Sequence, residues 1–294
     1  MSDPVLRVTD LTKVYTARNL IGRQYVVHRA VDGLSVSVDA GETVAVVGES
    51  GAGKSTVGRL ALRLIEPTSG TVELLGRDLA SMRSSELRKM RAHATMIFQD
   101  PYTSLNPRLT IQSAIAEPLE VVGAADRRER ARLVGDLIER VGLTQAHLSR
   151  YPYELSGGQL QRVAIARALI TQPSFIVCDE PVAALDVSTQ AQVINLLRDL
   201  QRERGIAYLF ISHDLRLVRL LADRVAVMRG GALVEEGTTD AVYRQPTSSY
   251  TKSLLNSIPA GSPRARKFGL PPTTPRTTPH GPDVSMAVGG RSGS

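Results

Sequence analysis

This sequence of 294 residues holds a single cysteine, Cys178. A lone thiol cannot build an internal disulfide framework, so the small cross-linked scaffolds of oxidising compartments are excluded. No stretch approaches the roughly 18 apolar residues that a spanning helix requires. No apolar segment opens the chain, so no secretory leader is expected. The five histidines are not placed at metal-ligand spacing, and His28, His93, His147 and His280 receive no role from the sequence. No internal repeat is present. Strong charge of one sign is lacking from the body of the chain. The formal net charge is +7, but residues 259–294 carry Arg264, Arg266, Lys267, Arg276 and Arg291 against one acid, Asp283. The rest is only mildly basic, which argues against a nucleic-acid partner.

What is present suits a folded domain. The hydrophobic fraction of 42% is ordinary for a globular core. "VLRVTDLTKVY" alternates as a half-buried strand does, and "AVDGLSVSVDAGE" predicts a second strand ending in a turn at Asp39–Gly41. "TVAVVG", "ATMIFQD", "SFIVCDE" and "IAYLFISHD" are short continuous apolar runs, the pattern of strands buried on both faces. Helical patterns separate them: about 54–65, about 111–150, 156–170 opened by the cap residue Ser156, and 190–205 closed by Gly205. The prolines of "PYTSLNPR" (101–108) predict no regular structure there. Seven prolines and six glycines in residues 259–294 predict a disordered tail. Strands alternating with helices predict an α/β fold, a parallel or mixed sheet with helices on both faces. Ligands on such a sheet bind at the carboxyl ends of the strands.

The chemical motifs fall at those ends. "GESGAGKS" (48–55) fits G-x-x-x-x-G-K-[ST] in full, between a buried strand and a helix. Glycines let the backbone curl so that successive N–H groups point inward, and the helix start adds its positive dipole end. The predicted phosphate cradle comprises Gly48, Glu49, Ser50, Gly51, Ala52, Gly53, Lys54, Ser55 and the adjoining Thr56. Lys54 is expected to reach the β- and γ-phosphates of ATP, and Ser55 to offer a hydroxyl to Mg²⁺. Such a loop alone is open to a GTPase, a kinase, a helicase or a transporter ATPase. "FIVCDE" ends in two acids, Asp179 as a ligand of Mg²⁺ and Glu180 as general base for the attacking water. Cys178 is expected to point into the core. His213 ends the next buried strand at the same edge, where it can meet the γ-phosphate or orient Glu180.

With these in view the chain resembles the ABC-type ATPases. "LSGGQ" (155–159) is similar to their signature. The order of phosphate loop, "FQD" (98–100), LSGGQ, "CDEPVAALD" (178–186) and "ISHD" (211–214) is that family's nucleotide-binding set. The resemblance covers about residues 4–258. It implies a P-loop NTPase (RecA-like) core with an antiparallel β subdomain and an inserted α-helical subdomain at about 100–165. It implies that Ser156, Gly157, Gly158 and Gln159 close on an ATP held by a second chain in a head-to-tail dimer of identical or homologous ATPases. Gln99 then resembles the glutamine that contacts Mg²⁺ and the attacking water, and Asp186 an aspartate that crosses the dimer interface. Tyr15 takes the place of the aromatic residue that stacks on adenine, with Tyr25 in the same region.

Finer segments, "FQDPYTSLNPR", "RYPYELSGGQ", "DEPVAALDVSTQAQVINLL" and "SSYTKSLLNSIP", are similar to ATPase subunits of bacterial dipeptide, oligopeptide and nickel importers. That likeness implies two separate transmembrane permease subunits and an extracytoplasmic substrate-binding protein, with this chain peripheral at the cytoplasmic face of the membrane. The cysteine-rich tail of many such subunits is missing. A soluble ABC complex not engaged in transport is the alternative. DNA-repair and ribosome-associated ABC proteins fit worse, because no long coiled coil, zinc site or tandem ATPase unit is present.

Overall fold

A computed structural model describes residues 3–18, 24–183 and 185–257. The tail read as Pro/Gly-rich and disordered, 259–294, lies outside the described residues. The first half of the chain forms β1 (Leu6–Arg18), β2 (Gln24–Val38), β3 (Thr43–Val47), α1 (Lys54–Ala61), β4 (Ser69–Leu74), β5 (Arg77–Asp78), α2 (Ser84–Met90), β6 (Ala94–Ile97), α3 (Pro101–Ser104), α4 (Ile111–Val122) and α5 (Arg127–Arg140). The second half forms α6 (Gly157–Leu169), β7 (Phe175–Asp179), α7 (Val187–Arg204), β8 (Ala207–Ile211), α8 (Leu215–Leu221), β9 (Arg224–Arg229), β10 (Ala232–Thr238), α9 (Thr239–Arg244) and α10 (Ser249–Asn256).

Two sheets result. A six-stranded sheet runs in the order β10-β9-β3-β8-β7-β6 and is parallel except for the edge strand β10. An antiparallel sheet runs in the order β2-β1-β4-β5. Every residue of β3, β7 and β8 is buried, as continuous apolar runs in a sheet covered on both faces require. Alternation sorts β3 between two cores. Val44 and Val46 pack with Val57 and Leu60 of α1, whereas Ala45 and Val47 pack with Leu215 and Val218 of α8, Val242 of α9 and Tyr250 of α10.

Register then sets the functional edge. Val46 pairs with Ile211 across β3 and β8, and Asp179 pairs with Ile211 across β7 and β8. The residues that follow these strands, Gly48, Glu180 and His213, therefore emerge together at the carboxyl edge. The prolines of 101–108 do not exclude regular structure. Residues 101–104 form the short helix α3, with Pro101 in its first turn, where a missing N–H costs nothing, and the Asp100 carboxylate accepting from the Tyr102 N–H at 2.9 Å.

Candidate active site

The phosphate loop leaves β3 at Gly48 and enters α1 at Lys54. Two of its glycines cannot be replaced within this backbone. Gly53 has a φ of +96°, and a Cβ there would stand 2.0 Å from the Ala30 carbonyl oxygen. At Gly48 a Cβ would stand 2.2 Å from the Met228 carbonyl oxygen. The loop is thus pressed against β2 and β9 rather than draped over them. Lys54 is only 6% exposed. Its ammonium donates to the carbonyls of Gly48 at 2.9 Å and Glu49 at 2.8 Å. Burial lowers its pKa, against the opposing pull of Glu180 and Asp179. A buried cation held among loop carbonyls and facing two acids is arranged to meet an anion.

Asp179 is buried behind the loop and accepts from Ser55 Oγ at 2.8 Å. Burial raises its pKa, and the Ser55 hydrogen bond offsets only part of that. Glu180 follows in the left-handed region, φ +47°, which side-chain-bearing residues rarely enter. Its N–H donates to the Ile211 carbonyl at 3.0 Å, which fixes the turn. Its two carboxylate oxygens have separate partners: Nε2 of Gln99 donates to Oε2 at 2.9 Å, and Nδ1 of His213 lies 2.9 Å from Oε1. The neighbouring Cys178 is fully buried, and burial pushes its thiol well above the ordinary range, so it is an inert core residue.

These groups share one cavity of about 620 Å³. Ser50, Gly51, Gly53, Lys54, Ser55 and Thr56 of the phosphate loop line it together with Gln99, Glu180, His213 and Tyr15. Tyr15 is 42% exposed, with Lys13 Nζ 5.3 Å from its ring centre. The side chain of Tyr25 lies outside the described residues. Two lining residues were not found by sequence reasoning. His28 stands beside Tyr15 because β1 and β2 pair Tyr15 with His28, and Ala30 follows two residues along β2. Only the pairing register could have revealed them. Gly48, Glu49, Ala52 and Asp179 belong to the loop and its support but do not line the cavity.

Ser156, Gly157, Gly158 and Gln159 do not line it either. Ser156 caps α6: its Oγ accepts from the Gln159 N–H at 3.3 Å, and Gln159 Oε1 accepts from the Ser156 N–H at 2.9 Å. Nε2 of Gln159 also lies 3.3 Å from Nε2 of His147. The helix start is preorganised by these caps, and Ser156 and Gly157 are open to solvent.

The ABC transporter family model matches residues 31–183. A probable peptide ABC transporter ATP-binding protein of Sinorhizobium fredii is 50% identical over 272 residues, covering 92% of this chain and 77% of that one. The chain belongs to the ABC transporter family. An oligopeptide transport ATP-binding protein of Bacillus subtilis is also 50% identical, over 80% of this chain and 78% of its own length. Among solved structures, a dimeric ATP-binding cassette in a post-hydrolysis state bound to ADP and Pi superposes with a TM-score of 0.72. It has 30% identity and covers 80% of this chain and 98% of that one. The expected α/β nucleotide-binding fold is therefore met, and this ABC chain binds and hydrolyses ATP.

Asp186 has a local role that the hydrogen bonds show. Its carboxylate caps α7, accepting from the Ser188 and Thr189 N–H groups at 3.0 Å each and from Thr189 Oγ1 at 2.6 Å. The Thr189 hydroxyl, with the two backbone donors, holds its pKa below the usual carboxylate range.

Proposed function

We propose that this chain is the ATP-hydrolysing subunit of an importer for peptides or a related small solute, working through separate permease subunits. The observation that carries the hydrolytic part of the reading is the Glu180 carboxylate, held on one oxygen by Gln99 and set beside His213 on the other, in the cavity that the phosphate loop lines. A carboxylate so oriented can take a proton from a water as its oxygen bonds to the γ-phosphorus and the bond to the β–γ bridging oxygen breaks. Lys54, Ser50, Gly51 and Gly53 bind the phosphates, with Glu49, Ala52 and Thr56 completing the loop, and Tyr15 stacks on adenine.

Mg²⁺ fits the donor set. Ser55 and Asp179 place two hard oxygens 2.8 Å apart, and the buried carboxylate carries charge that its surroundings compensate poorly. Ser55 and Asp179 would hold it, with Gln99 nearby, and the ion would neutralise charge on the phosphate oxygens.

In this reading residues 4–258 form the ATPase domain, the segment about 100–165 its helical subdomain, and 259–294 a Pro/Gly-rich tail. A second ATPase chain, identical or homologous, supplies Ser156 to Gln159 to the ATP held by the first, and Asp186 stands at the interface. Among the described residues no helix is long and apolar enough to cross a membrane, which supports a path built by two permease chains. An extracytoplasmic substrate-binding protein and a place on the cytoplasmic face of the membrane complete the assembly. Relatives named for peptide and oligopeptide transport support the solute class. Affinity purification from a detergent extract tests it. Recovery of two membrane proteins with the chain is the expected result, and recovery of a soluble complex alone would replace the importer reading.

A further inference from the structure

Tyr250 has no part in the site described above, yet it touches it. It lies on α10, 201 residues from its partner in sequence, and its Oη accepts from the Glu49 N–H at 3.2 Å. That N–H and the Gly48 carbonyl belong to one planar peptide group. The carbonyl end of the same group accepts from Lys54 Nζ at 2.9 Å. Tyr250 and Lys54 therefore hold opposite ends of a single peptide. Gly48, at φ +152° in backbone that side chains rarely adopt, also lacks the Cβ that narrows ψ in other residues, so the peptide that follows it turns more freely and gains from an external restraint. Were it to turn, Lys54 would lose one of its two carbonyl partners.

The restraint is itself braced. Tyr250 is 9% exposed and packs with Ala45 and Val47 of β3 and Val225 and Val227 of β9. The Arg229 guanidinium lies over its face, 4.9 Å from the ring centre. The start of α10 is tied to the sheet by Glu235 of β10, which accepts from the Thr247 N–H at 2.7 Å and the Ser248 N–H at 3.0 Å. Ser248 Oγ then caps the Tyr250 N–H at 3.2 Å. The phosphate loop is thus fixed from the sheet face opposite α1, by a helix that carries none of the nucleotide-binding motifs.

We propose that Tyr250 is a positioning residue for Lys54, orienting the Gly48–Glu49 peptide so that the ammonium is held ready for the phosphates. The inference rests on the reading of this loop as the ATP site. Tyr250→Phe removes only the hydroxyl and keeps the ring and its Arg229 contact. In the full chain it should raise KM for Mg-ATP, and Kd for a methylanthraniloyl-ATP probe, roughly three- to tenfold, the scale of one lost hydrogen bond. The turnover number and the thermal midpoint should stay near wild type. Unchanged KM and Kd would overturn the proposal, as would a fall in midpoint with no change in affinity. Glu235→Gln, which loosens the anchor of α10, provides the second arm. It should weaken ATP binding in the wild-type background and add little to Tyr250→Phe, and fully additive effects would overturn the coupling. A wild-type chain that binds no probe would instead sink the ATP-site reading itself.

Discussion

Glu180 sits in a backbone region that costs roughly 1–3 kcal/mol for a residue with a side chain, and its surroundings over-determine it through the Ile211 carbonyl, Gln99 and His213. Strain of this kind is tolerated where a group must be aimed. Gly53 shows the opposite limit, a position where no side chain fits at all. Gly53→Ala should abolish ATP binding, since both its φ and the Ala30 carbonyl forbid the methyl group; isothermal calorimetry with Mg-ATP is the check. Wild-type affinity in that variant would mean that the loop can relax away from β2. At this scale the sequence was legible wherever spacing is itself the chemistry, as in Gly48 to Ser55 and the Asp179–Glu180 pair. It was silent on His28 and Tyr250, whose roles arise from strand register and from a contact 201 residues away.

The elements owe their ends to local hydrogen bonds. Thr110, Asp126 and Ser156 open α4, α5 and α6 by accepting from the N–H three residues on. Thr110→Ala, at a residue that does not line the nucleotide cavity, should cost about 1 kcal/mol of stability in chemical denaturation. Asp186 gives a pH dependence. Its folded pKa lies below the unfolded value, so its contribution at the start of α7 is present above the unfolded value and is lost as pH falls through the folded one. Amide exchange in the first turn of α7 should therefore quicken on acidification, and Asp186→Asn should flatten that response. The buried strands β3, β7 and β8 were plain in the sequence because each is a short apolar run rich in Val, Ile and Phe that ends at glycine or a polar residue, too short for a buried helix. The prolines near 101–108 misled, since Pro101 starts a helix as readily as it stops one. Helices such as α2 and α8, seven residues each, are too short for a 3.6-residue period to register.

On the scale of the whole molecule, the two helix starts proposed to meet the nucleotide are divided between places. One lines the cavity with Lys54 and Glu180, and the other, at Ser156, does not reach it. A division of this kind is completed by a second chain, so Glu180→Gln with Mg-ATP should elute as a dimer in size-exclusion chromatography, and the same protein without nucleotide as a monomer. The sequence implied this arrangement through family resemblance alone, because composition and periodicity carry no information about which surface meets which. The role of Glu180 as general base is tested most directly by comparing ATP turnover in wild type and Glu180→Gln, in preparations of matched ATP affinity. A loss of about 10²–10⁴-fold with binding intact is the expected result. Turnover near wild type would contradict that role.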